Sequence, residues 1–122
     1  MSTINVSNLN DGTTTVATTN LTNGSAKAWA NLNGSSFGLR DDFNISTPVD
    51  NGTGNYTLNF SNAFANTNYS AVVTSDDSGS SRAFAQSKTY ATSSFVATMK
   101  RGDTGATVDK DIVIAAVHGD LA

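Results

Sequence analysis

The chain has 122 residues, a net charge of −3 and no cysteine, which bounds it to one modest domain without disulfides, thiolate metal sites or a thiol nucleophile. Only 7 basic residues stand against 10 acidic ones, all of them aspartate, so the basic stripe that nucleic acid requires is missing. No apolar run approaches membrane-spanning length, and MSTINVSNLN lacks the basic start and apolar stretch of a secretory signal; the expectation is synthesis in a cytoplasm, with neither visible export nor membrane insertion.

Asn, Ser and Thr fill 46 of the 122 positions, a bias toward turns and hydroxylated strand faces and against helix interiors. Six Phe, three Tyr and one Trp recur along the chain, too many aromatics for disorder at so low a charge. Residues 1–25 are Thr- and Asn-rich and poor in large apolar side chains, so they cannot close a core and are expected to form an arm or attachment segment, with strand character through Thr13 to Thr19.

Residues 26–122 are expected to form the folded domain. In KAWANLN, Trp29 shares a face with Lys27, Asn31 and Asn33, while Ala28, Ala30 and Leu32 take the other. FGLRDDFNIS predicts a half-buried strand with Phe37, Leu39, Phe43 and Ile45 on one side, interrupted by Asp41. STPVDNGTGN, with the single proline and Asn51-Gly52, predicts a reversal, and NYTLNF repeats the alternation with Tyr56, Leu58 and Phe60 inward. NYSAVVTS, RAFAQSKTY and SFVATMKR read as further strands. DIVIAAVHG is apolar on both sides, Ile112, Ile114 and Ala116 against Val113, Ala115 and Val117, so cover is expected on both faces, from a second sheet or a second subunit. The fold class is all-β, an antiparallel β-sandwich.

Catalytic and metal constellations do not assemble from these residues. Gly34-Ser35-Ser36-Phe37-Gly38 has the spacing of a nucleophile elbow, but no helix follows it and His118 is the one candidate base. Arg101-Gly102-Asp103 spells an adhesive tripeptide where a hairpin turn is expected, and turn chemistry accounts for it. Asp76-Asp77 and Asp109-Lys110-Asp111 lack the ligand spacing that closes around calcium. The nine Asn-x-Ser/Thr triplets, Asn20-Leu-Thr22 and Asn44-Ile-Ser46 among them, follow from composition. No cofactor and no metal is expected, and no enzyme.

AKAWANLNG followed by FGLRDDFNIS, then VDNGTGNYTLNF and NTNYSAVV, resembles a phage tail-fibre domain. That family's pattern carries Lys-Ala-Trp, Asn-x-Asn-Gly, an Arg-containing strand, an Asp-Asn-Gly-Thr-Gly turn and a Tyr-Thr-x-Asn-Phe strand in this order. The resemblance runs from about residue 26 to the end; Leu32 stands where the pattern more often has Phe, and residues 96–119 match only in outline. It implies a β-sandwich assembled as a homotrimer on the exterior of a virion, on tail or capsid, meeting a host surface glycan or protein.

On this reading the loop tips carry recognition, with Asp76, Asp77, Ser78, Ser80, Arg82, Tyr90, Arg101 and Asp103 as expected contacts. Trp29, Ile112, Ile114 and Val117 are expected to pack between copies, and residues 1–25 to attach to other virion proteins. Two further readings are a capsid or tail decoration protein with a structural role and a stand-alone glycan-binding module in which Trp29 stacks on sugar.

Overall fold

The computed structural model describes residues 1–76 and 82–122. Asp77, Ser78 and Ser80 therefore lie outside the described residues. The elements run β1 (Asn8–Asn10), β2 (Thr15–Ala17), α1 (Thr18–Gly24), β3 (Ala28–Asn33), β4 (Gly38–Phe43), β5 (Val49–Asp50), β6 (Asn55–Asn59), β7 (Ser70–Ser75), β8 (Ala83–Ala91), β9 (Ser94–Arg101) and β10 (Val113–His118). Two antiparallel four-stranded sheets, ordered β4-β3-β10-β7 and β5-β6-β9-β8, pack face to face as the expected all-β sandwich.

The core follows the period-2 alternation of the strands. From the first sheet come Ala28, Ala30 and Leu32 of β3 with Val113, Ala115 and Val117 of β10; from the second come Tyr56 and Leu58 of β6 with Phe95, Ala97 and Met99 of β9. Alanines on one side leave room for rings on the other, which keeps the layer close-packed. Phe60 lies 4.7 Å from Phe64, 5.6 Å from Tyr69 and 5.9 Å from Phe95 between ring centroids. Fully burying one such ring stabilises the fold by roughly 2–3 kcal/mol.

Two expectations need correction. Val117 does not face a second copy: it is 0% exposed and points into the sandwich with Val113 and Ala115, because alternation places it opposite to Ile114. Phe43 does not join Leu39 on the inside. A bulge opposite Asn31 and Leu32 leaves Arg40 as an extra residue between Leu39, paired with Leu32, and Asp41, paired with Asn31. One extra residue shifts every later side chain to the other face, so Phe43 comes out beside Trp29. Asn44, at φ 55°, turns the chain so that Ile45 enters the core; Asn is the non-glycine residue that best tolerates this conformation.

In residues 1–25, β1 and β2 form a hairpin and α1 follows, where strand character was expected to reach Thr19. No residue of this segment is buried. The Lys27 ammonium donates to the carbonyls of Thr22 and Ser25, which satisfies acceptors at and just beyond the C-terminal end of α1.

The registers define two poles. The β3–β4, β5–β6, β7–β8 and β9–β10 connections gather at one, since Leu32, Ser75 and Val113 align there, as do Asn55, Gln86 and Thr98. At the other lie the entry to β3, the β8–β9 turn and the chain end, where Leu121 bridges to Phe64. The arm thus enters at the pole opposite those four loops.

Candidate functional site

At the loop pole residues 101–105 make a tight, internally bonded turn. The Arg101 and Asp103 side chains pair with each other, Nε to Oδ1 at 3.0 Å and one terminal nitrogen to Oδ2 at 2.8 Å. A hydrogen bond from this guanidinium, then its charge, holds the Asp103 carboxyl down at about 2. The backbone N–H of Gly105 donates to the carbonyl of Arg101, with Gly105 at φ 71°, a conformation that suits glycine. RGDTG is accordingly a compact reversal whose charged ends are joined.

This reversal touches the neighbouring loop. Gly102 N–H donates to the Arg82 carbonyl at 2.8 Å, and the exposed Phe84 ring lies against Gly102. Asp76 and Ile112 exchange bonds, Asp76 N–H to the Ile112 carbonyl at 3.1 Å and Ile112 N–H to Asp76 Oδ1 at 3.2 Å. Four of the expected contacts, Asp76, Arg82, Arg101 and Asp103, therefore share one pole. Tyr90 does not: it stands near the β8–β9 turn at the arm pole, where its hydroxyl lies 2.6 Å from Ser87 Oγ and its ring 5.1 Å from that of Tyr69. Burial pushes the neighbouring Tyr69 phenol up to about 12.

The loop pole rests on a polar link between the sheets. Tyr56 Oη donates to Asp109 Oδ1 at 2.7 Å and lies 3.1 Å from the Gly34 carbonyl, while Gly54 N–H donates to the same Asp109 oxygen at 2.6 Å. Burial first, then the bond to Asp109 and its charge, raises the Tyr56 phenol far above its ordinary value, so the ring stays neutral and donating. Among the described residues, no group of three or more His, Asp, Glu or Cys is placed to hold a metal. Ser35 and Ser36 donate their backbone N–H groups to Asn33 Oδ1, which makes the elbow-like stretch an ordinary hairpin turn.

The second feature is the outer face of the β4-β3-β10-β7 sheet. Pairing aligns Phe43, Trp29, Ala116 and Val72 in one row across all four strands. Phe43 is 53% exposed, Trp29 38% and Val72 62%, with Ile114 of the adjoining row at 41%. Within one chain, β10 is thus covered on its inner side alone. Phe43 and Val72 were not foreseen: the bulge hid the first, and the second sits in SAVVT, where adjacent valines do not declare an inner one. The outer face of the other sheet carries polar residues such as Asn55, Thr57 and Lys88 beside Val49, Val96 and Phe84.

On the arm, an open groove of about 380 Å³ is lined by Leu9, Asn10, Asp11, Thr14, Val16 and Leu21. Comparison with protein-family models, curated proteins and solved structures finds no match to this chain.

Proposed function

We propose that the chain is a noncatalytic bacteriophage virion protein, a tail-fibre or receptor-binding module that works as a homotrimer on the particle exterior. The observation that carries this reading is the polarity of the domain: residues 1–25 enter at one pole, and Asp76, Arg82, Arg101 and Asp103 lie at the other. A domain held at its arm pole presents those loops outward. The ordered motifs AKAWANLNG, VDNGTGNYTLNF and NTNYSAVV support the fibre assignment by resemblance. Three copies per fibre and several fibres per particle convert weak contacts with a host glycan or protein into avid attachment.

Exchanging residues 76–82 and 101–105 for unrelated turns of equal length, in phage carrying the chain, tests the reading by adsorption. Host adsorption falls if the loops bind the receptor; unchanged adsorption and host range overturn it. The exposed Leu9 and Leu21 beside the arm groove favour a second reading, a decoration protein that grips tail or capsid through its arm. Arm deletion with loss of particle stability, and no effect of the loops, selects that alternative.

A further inference from the structure

We infer that copies of this chain join through the Phe43–Trp29–Ala116–Val72 row, with the bulky half of one copy seated on the small half of the next. The inference deepens the trimeric reading above and rests on it for the number of copies alone. The row divides in two: Phe43 and Trp29 project large rings from β4 and β3, whereas Ala116 and Val72 leave low ground on β10 and β7.

That step in height is what argues for a second copy as the occupant. A flat or arbitrary partner fills one half and leaves a gap over the other, and unfilled contact forfeits dispersion energy. A second copy brings the complementary step with it. Related by a closed rotation, as a two-fold pair or as the threefold ring of the trimeric reading, the contact covers the row of every copy and leaves none in water. The row itself carries no charge that burial would have to neutralise.

The area sets the strength. Four strands at ~4.8 Å and three outward residues at ~6.8 Å give a face of roughly 400 Å², well under the ~800 Å² per partner of a standard stable interface. Association through this face is therefore concentration-dependent in free protein, and anchoring neighbouring arms on one particle raises the effective concentration.

The chain has no cysteine of its own, which permits a direct test. Within one copy, Phe43 and Val72 are three strand spacings apart, roughly 14 Å, beyond the ~7 Å that a disulfide spans. Phe43→Cys and Val72→Cys proteins, shown to be folded by circular dichroism, are oxidised singly and as a mixture, and wild-type protein is sedimented over a concentration series. The expected result is a disulfide-linked species in the mixture that each variant alone lacks, with wild type gaining mass as concentration rises. Equal or absent cross-linking in all three pools, or a wild-type monomer at the highest concentration, overturns the inference. A linked pair that stays a dimer upholds the contact and removes the trimer. Because host adsorption is read separately, failure of the contact and failure of the receptor reading are distinguishable.

Discussion

Tyr56 of β6 and Asp109, in the segment leading to β10, meet at 2.7 Å, and this bond ties the two sheets together beneath the loop pole. The phenol is fully buried and the carboxylate also accepts Gly54 N–H, so the link holds the β5–β6 turn as well. Tyr56→Phe removes a charge-assisted hydrogen bond without opening a cavity. The expected loss is roughly 2 kcal/mol, read as a fall in Tm of roughly 8 °C by calorimetry.

Asp103 should titrate well below an ordinary aspartate. Its folded value, about 2, lies below the ~3.9 of an unfolded chain. Its contribution is therefore fully present above about pH 4 and is lost as pH falls through about 2. A carboxyl-carbon NMR titration should place the Asp103 midpoint near 2, and Arg101→Gln should return it toward ~3.9. Both side chains stand in solvent, so global stability should change little.

Two glycines of one turn should differ in their tolerance of alanine. Gly52, at φ 103°, faces open space, whereas Gly54, at φ 62°, would bring a Cβ within 2.5 Å of the Val108 carbonyl oxygen and 2.8 Å of that of Met99. Gly52→Ala costs the backbone strain alone, about 1–2 kcal/mol. Gly54→Ala adds overpacking against immobile backbone, for a total of about 3 kcal/mol or more. Paired urea melts rank the two, and equal midpoints would contradict the close approach.

Arg40 spans the bulge that it creates. One terminal nitrogen lies 3.1 Å from the Leu32 carbonyl, 2.6 Å from that of Asp111 and 3.3 Å from Asn31 Oδ1. Arg40→Ala removes the charged donor but leaves the extra residue, so stability should drop by about 1.5 kcal/mol while Phe43 stays outside. Unchanged Trp29 emission with a lowered unfolding midpoint is the expected signature; a large emission shift would mean that the side chain, not the added length, sets the bulge.

Alternation made much of this fold legible. Tyr56, Leu58 and Phe60 announce an inward face, and Ala28, Ala30 and Leu32 announce another. The rule failed at Phe43, because an irregularity of one residue in the ladder leaves no mark in composition. Placing Val117 between copies set aside the very alternation that aligns it with Val113. The loop pole was legible as turns but not as a cluster: Arg82 meets Gly102, and Tyr56 meets Asp109, only through pairing between strands far apart in sequence. Tyr90 reads in the sequence like the other tips because it ends a strand, and the direction of that strand decides which pole it reaches.

The bulge at Arg40 behaves as a parity switch. Side chains alternate sides with a period of two, so one insertion or deletion on this hairpin trades wet residues for dry ones all the way to Asn44. Among descendants of such a sequence, length changes here should come in even steps, or else together with loss of the exposed aromatic pair, and the social behaviour of the molecule would then hinge on a single codon.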